Sequence, residues 1–400
     1  MTEWNTDQLI AWDKRFVWHP FTNMREWCAA KHEPLVLVEG RGALLRDSRG
    51  REYIDGNSSI WTNIHGHNHP HINAAIRRQL SRVAHTSFLG FTNPQAIELA
   101  KAIVTLFPDI SLNRVFFSDD GSTGIEVALR VADHYWRLNF PAIQIANINA
   151  LQALAPAEIA KVAAVVIEPL IQGAAGMRLW PPGTLRAVRD WCSRTETLLI
   201  VDEVMTGFGR TGRMFASEHE GVIPDMMVLG KGLTGGYLPL AITLISEKLF
   251  SAFDGCVADG KALAYGHSYT GNALGCAAAK ASLEVFENER VLEVLKPKIQ
   301  RLSSALADLE ELPGVREVRQ CGFIAGIETV RAEMAAAVCL EARRYGLLTR
   351  PIWNVVVLMP PLCITMAQLI KAVEALRAAI VEVWRCSNAS REKDAEEVTA

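Results

Sequence analysis

Lys231 stands between Gly230 and Gly232 in the run LGKGLTGG, and Gly235 and Gly236 follow it. Residues without side chains on both sides leave room for a planar ligand to approach the amine. A lysine taken out of water, or set beside positive charge, loses its proton more readily, and the neutral amine can condense with an aldehyde to a Schiff base. Asp202 closes the apolar run LLIVD. A carboxylate there could keep a pyridinium nitrogen protonated, which is what lets pyridoxal phosphate act as an electron sink. The run VFFS at 115–118 leads into DDGST at 119–123. Gly121, Ser122 and Thr123 open a helical pattern, so their backbone N–H groups, at the positive end of the helix dipole, could take a phosphate. The plainer use of these residues is a capping box formed by Thr123 and Glu126. An amine, a partner for a ring nitrogen and a phosphate grip together describe one cofactor, pyridoxal 5'-phosphate.

Three further motifs compete for attention. GFGRTG at 207–212 satisfies GxGxxG, with Asp225 near the distance expected of a ribose-binding acid, as in a nicotinamide enzyme. Residues 202–206 separate the strand from the first glycine, however, and RMFASEHEGVIPD is too polar and short for the crossover helix that reading requires. HGHNHPH at 65–71 holds four of the ten histidines at alternating positions, which an extended strand would present on one face as a metal site wants. Gly66 and Pro70 favour a turn instead, and no metal is expected. Arg350, ahead of Pro351 in LLTRP, has a planar fork suited to a substrate carboxylate. An interdomain salt bridge is its local alternative.

These residues need elements to hold them. Short apolar runs alternate with segments of helical period, the pattern of strands feeding crossover helices in a mostly parallel sheet, so the class is α/β. VFFS, LLIVDE at 198–203, MMVLG at 226–230 and AITLIS at 241–246 read as strands. GIEVALRVADHYW and the Ala-rich run from Asn272 to about Asn288 read as helices. They outline a large domain over 61–285. Gly-rich hairpins over 1–60, together with strands and helices over 286–388, suggest a smaller α+β domain built from both ends. The last helix is expected from 366 to about 385, and 389–400 as a disordered tail with little to bury. A formal net charge of -3 and a pI near 6.4 give no footprint for nucleic acid or an anionic membrane. No apolar run approaches the roughly 20 residues of a membrane span, and no leader is recognisable. Eight cysteines without a CxxC pair read as reduced, mostly buried thiols of a cytoplasmic protein.

The runs LLIVDEVMTGFGRTG, PDMMVLGKGLTGG and YGHSYTGNALGCAAA together resemble the class III, fold-type I pyridoxal-phosphate aminotransferases. WHPFTNM at 18–24, DGNSSIWTNIHGHNHP at 55–70, EPLIQGAAGM at 168–177 and RPIWNVVVLMPPL at 350–362 are similar to the branch that serves biotin biosynthesis. The resemblance implies that Lys231 bonds the cofactor and Asp202 pairs with its ring nitrogen. Gly121 and Ser122 would bind its phosphate, helped by Ser268 from the other subunit of a homodimer. Arg350 would take a substrate carboxylate. Phe21, Ile60 and Trp61 would line the substrate pocket, with Phe21 where a tyrosine is usual and Ile60 where a tryptophan is usual. The implied reaction converts 8-amino-7-oxononanoate to 7,8-diaminononanoate with S-adenosylmethionine as amino donor. The same machinery would also serve an ω-amino acid or diamine aminotransferase. Between Trp136 and Ala163 the family carries a strand, a Tyr-His-Gly-Asp turn whose tyrosine stacks on the cofactor ring, and a long excursion. This chain has only RLNFPAIQIANINALQALAPAEIAKV, several tens of residues fewer and without a tyrosine. PAIQIANI could supply a substitute strand, and a catalytically impaired homologue is the matching alternative.

Overall fold

The structure, a computed structural model, describes residues 4–107, 111–139, 144–147 and 162–399. A six-stranded sheet occupies its middle, in the order Leu112–Ser118, Ala241–Ser246, Met226–Leu229, Leu198–Asp202, Val162–Ile167 and Gln144–Asn147. The last four run parallel to one another. Ala241–Ser246 is antiparallel to both its neighbours. The reason is the connection: a parallel return needs a crossover of a dozen or more residues, usually helical, and 230–240 offers only a 3-10 turn, Lys231–Thr234.

Helices cover both faces, so the inner strands are apolar throughout rather than alternating. Ile200, Met226 and Val228 pack on Val127, Ala128 and Val131 of the helix Gly121–Asn139. On the opposite face Leu199 and Val201 meet Leu185 and Val188 of the helix Thr184–Arg194. Further along that face Met227, Leu229 and Ile242 meet Cys276 and Ala279 of the helix Ala273–Asn288. The expected substitute strand in PAIQIANI is present as Gln144–Asn147, beside Val162–Ile167. The rest of the shortened segment, where the stacking tyrosine is expected to be missing, lies outside the described residues.

Residues from distant parts of the chain share a second sheet. Leu37–Arg41, Leu44–Asp47 and Glu52–Asp55 form a meander, and Leu347–Leu348 adds in parallel, with Leu348 opposite Asp55. A third sheet joins Val315–Cys321, Ile324–Thr329, Val355–Leu358 and Pro351–Ile352. The closing helix buries Leu369, Ala372, Val373, Leu376 and Ile380 along one stripe. It continues to Thr399, past the expected end near 385 and through the segment expected to be a disordered tail. Alanine, glutamate and lysine are good helix formers, and extending a nucleated helix needs no second nucleus. The cysteines also differ from expectation. None is in a disulfide, but Cys28, Cys256, Cys363 and Cys386 are exposed: the first three lie at a helix end, in a loop and in a turn, and Cys386 lies inside the closing helix, outside the packed layers. Among the described residues no helix is long and apolar enough to cross a membrane.

Candidate active site

Parallel pairing sets Val228 opposite Asp202, so the ends of two neighbouring strands reach the same edge of the sheet. Ligands collect at that carboxyl edge in open α/β sheets. A cavity of about 780 Å³ opens there, and Gly121, Ser122, Glu168, Asp202 and Lys231 all line it. Asp202 and Glu203 illustrate the alternation of a strand. Asp202 faces the cavity, whereas the fully buried Glu203 accepts hydrogen bonds from the Thr206 hydroxyl and the N–H groups of Ala216 and Ser217, fixing the turn beneath.

Lys231 begins the turn after Leu229 with φ +37°, in the left-handed region that non-glycine residues rarely adopt. Its amine makes no hydrogen bond or ion pair among the described residues, and lies 4.7 Å from the ring centroid of Trp61. Burial pushes its pKa below the ordinary lysine value, and the charges of Asp202 and Glu168 only partly oppose this. Burial likewise pushes Asp202 up, against the Val204 N–H donated to Oδ1 at 2.9 Å and the nearby Lys231 charge. Glu168 is also raised, by burial first; the Gly173 N–H donated to Oε2 at 2.8 Å opposes this, while the Asp202 charge adds to it. Burial holds all three groups towards their neutral forms.

The helix Gly121–Asn139 opens the opposite wall. Asp120 and Thr123 cap each other: the Thr123 N–H donates to Asp120 Oδ1 at 2.9 Å, and the Asp120 N–H to Thr123 Oγ1 at 3.0 Å. The reciprocal cap thus sits one turn before the expected Thr123–Glu126 box, and Glu126 pairs with Arg130 instead. This leaves the first N–H groups of the helix, those of Gly121 and Ser122, without partners inside it. A Cβ on Gly121 would meet Val204 Cγ1 at 2.6 Å, so only glycine allows the helix start to come this close to the Asp202 strand end.

The remaining expected site residues do not converge in one chain. Phe21 is 96% exposed and Ile60 47%, whereas Trp61 is 9% exposed and faces the Lys231 amine. Arg350 lies between Leu347–Leu348 and Pro351–Ile352, outside the cavity wall, and its guanidinium has no partner among the described residues. Ser268 is exposed, and its carbonyl bonds His85. The four histidines of HGHNHPH form a turn and a helix start, and each ring has its own partner: Ser282 for His65, Asp55 for His67, Glu289 for His69 and Glu284 for His71. GFGRTG forms turns without a crossover helix; its Arg210 is fully buried and donates to Pro360 O and Asn63 O. Glu168 was not anticipated. It follows the strand Val162–Ile167, so the strand-end rule that singles out Asp202 would have found it.

The residues present fit pyridoxal phosphate. Asp202 is a buried carboxylate with one hydrogen bond and no ion pair among the described residues, which a ring N–H cation would compensate. The amine opposite is buried and has no hydrogen bond or ion pair among the described residues, and the helix start beside it is cut back to glycine at 121.

The sequence profile of the family Aminotransferase class-III matches residues 28–142 and 138–380. The break between its two parts falls where the chain is short. The adenosylmethionine-8-amino-7-oxononanoate aminotransferase of Nitratidesulfovibrio vulgaris is 41% identical, covering 94% of this chain and 82% of its own. That alignment spans 449 positions against a chain of 400 residues, so the relative carries residues this chain lacks. The crystal structure of the enzyme of that name from Methanocaldococcus jannaschii superposes with a TM-score of 0.88 at 35% identity, covering 94% of this chain and 99% of its own. A thermostable (S)-enantioselective omega-transaminase from Thermomicrobium roseum superposes with a TM-score of 0.87 at 29% identity, covering 96% and 100%. With its fold-type I architecture, this chain belongs to the class-III aminotransferases, which depend on pyridoxal phosphate.

Proposed function

We propose that this enzyme transfers an amine from S-adenosylmethionine to 8-amino-7-oxononanoate, giving 7,8-diaminononanoate for biotin synthesis. The observation that carries the chemistry is the buried Lys231 amine, free of hydrogen bonds and ion pairs among the described residues, in a cavity shared with Asp202. The names of the curated relatives support the substrates. Pyridoxal phosphate, when bound, supplies an aldehyde that accepts the amine and a ring that withdraws electrons from the carbon bearing it. Gly121 and Ser122 grip the phosphate through their N–H groups, joined by Ser268 of a second copy. Asp202 keeps a proton on the ring nitrogen through the Coulomb attraction of its buried carboxylate. Lys231 Nζ, being easily deprotonated, would move a proton between the amine-bearing carbon of the substrate and the cofactor, in opposite directions in the two half-reactions. Arg350 receives the substrate carboxylate, and Phe21, Ile60 and Trp61 enclose its chain. The same reading includes a cytoplasmic homodimer with a large unit over 61–285 and a small one over 1–60 and 286–388.

A donor comparison tests it. The purified protein, loaded with cofactor, should aminate 8-amino-7-oxononanoate fastest with S-adenosylmethionine. Faster turnover with lysine or β-alanine would favour an ω-amino acid or diamine aminotransferase, a reading that the omega-transaminase neighbour and the smaller Ile60 support. Protein that binds the cofactor without any absorption band shifted by borohydride would instead be a catalytically impaired homologue.

A further inference from the structure

Four consecutive non-glycine residues, Ser58, Ser59, Ile60 and Trp61, have φ of +46°, +49°, +64° and +66°. Each left-handed residue costs roughly 1–2 kcal/mol, so such a turn persists only where its surroundings hold it. The holding group is Asp55, 3% exposed at the end of the strand Glu52–Asp55. The Ser59 N–H donates to its Oδ1 at 3.0 Å and the Ser59 hydroxyl to its Oδ2 at 2.9 Å. His67 Nε2 lies 2.9 Å from the same Oδ2. Asn63 fixes which way that imidazole is protonated. Its Oδ1 accepts from the Gly66 N–H at 2.7 Å, so its amide N–H groups face His67 Nδ1 at 2.9 Å, and Nδ1 must accept. The ring proton then sits on Nε2, towards Asp55. There is no slack behind the ring, because a Cβ on Gly40 would stand 2.7 Å from His67 Cβ and Cγ.

The far end of the turn is pinned as well. The Ser58 hydroxyl donates to Met359 O, and Trp61 Nε1 donates to Asn57 Oδ1 at 2.8 Å. The Trp61 indole packs in a cluster with Ile171, Met177 and Met205, and its ring is the close neighbour of the Lys231 amine. We propose that Asp55 and His67 are positioning residues: their contact holds the left-handed turn that lays the Trp61 indole against the Lys231 amine and so fixes where that amine reacts. This gives a use to the histidine run that neither the cofactor nor a metal explains. The inference rests on Lys231 being the reacting amine.

A double-mutant cycle between Asp55→Asn and Trp61→Phe tests it, read in kcat, in KM and in the melting temperature of the cofactor-free protein. Each single variant should lower kcat about tenfold, with KM little changed in Asp55→Asn, since small displacements of a reacting group cost rate. The double variant should lose little more than the worse single, because both act through one contact. Losses that multiply in kcat, or melting shifts that add, would overturn the proposal. Because Asp55→Asn could simply weaken folding, His67→Gln is compared with His67→Leu. The amide can still donate to Asp55 and should restore most of kcat, whereas leucine should not; equal losses would also overturn it. Borohydride treatment of wild type reports separately whether Lys231 holds the cofactor. If it does not, the melting cycle alone still decides whether Asp55 acts through Trp61.

Discussion

The cofactor end and the substrate end of the site are built differently. At the first, Gly121, Ser122, Asp202 and Lys231 come from three neighbouring segments at one edge of the central sheet and meet in a single cavity. At the second, Phe21 and Ile60 are exposed and Arg350 stands off the cavity wall. Hydrophobic burial between two helical layers holds the first set without help. The second set depends on the chain ends and on strained turns. The lesson is that the proposed reactive groups sit on the central sheet, while the proposed substrate contacts sit on elements that a single chain leaves open.

Substitutions can break that division, beginning with the largest effect. Lys231→Ala should cost at least about 10²–10⁴-fold in kcat with every donor, since the proton carrier is lost; normal turnover in a steady-state assay would end the cofactor-end reading. Asp202→Asn keeps the shape and removes the charge, and should cost about 10²–10³-fold in kcat, by analogy with other preorganised electrostatic groups. Arg350→Ala should act at the other end alone. It should raise KM for the carboxylate substrate roughly 10- to 100-fold, as expected for a lost charge-assisted contact, while kcat changes little. A fall in kcat with KM unchanged would erase the distinction between the two ends. Gly121→Ala forces a Cβ against Val204 Cγ1. Overpacking of this kind costs about 1–3 kcal/mol, so cofactor affinity, titrated by absorbance, should weaken about tenfold or more with KM for substrate unaffected.

The smallest effect is on stability. Burial lowers the Lys231 pKa below its ordinary 10.5. Between the lowered value and 10.5 the unfolded chain holds a proton that the folded chain does not, so the cofactor-free protein gains stability as pH rises through that window. Below the window both states are protonated and the full cost of burying the charge is present. Lys231→Met removes that cost. It should therefore melt higher than wild type near neutral pH, with the gap narrowing towards pH 10.5. Parallel melting curves would show that the amine is not buried at a cost.

Lys231, Asp202 and the Gly121–Ser122 helix start were legible because glycine spacing and strand ends are local features, and the parallel register then brings them together. Glu168 obeys the same rule at Val162–Ile167. The antiparallel return of Ala241–Ser246 was harder to see, since an apolar strand reads the same in either direction and only the short 230–240 link decides. The capping box at Glu126 failed because Asp120, one turn earlier, bonds Thr123 first. The HGHNHPH histidines read as a turn, yet three of their partners, Ser282, Glu284 and Glu289, are brought from the far helix Ala273–Asn288 and its end, while Asp55 lies close by in sequence.

Composition, periodicity and motif spacing were enough to determine the α/β class and the cofactor, because each depends on residues near one another along the chain. The left-handed turn at Ser58–Trp61, the neutral-leaning trio of Lys231, Asp202 and Glu168, and the scattering of the substrate-side residues were decided only by the fold. Strain and shifted proton affinity arise from what surrounds a group in space, and several of those neighbours, such as Trp61 beside Lys231 and Met359 beside Ser58, lie far away along the chain.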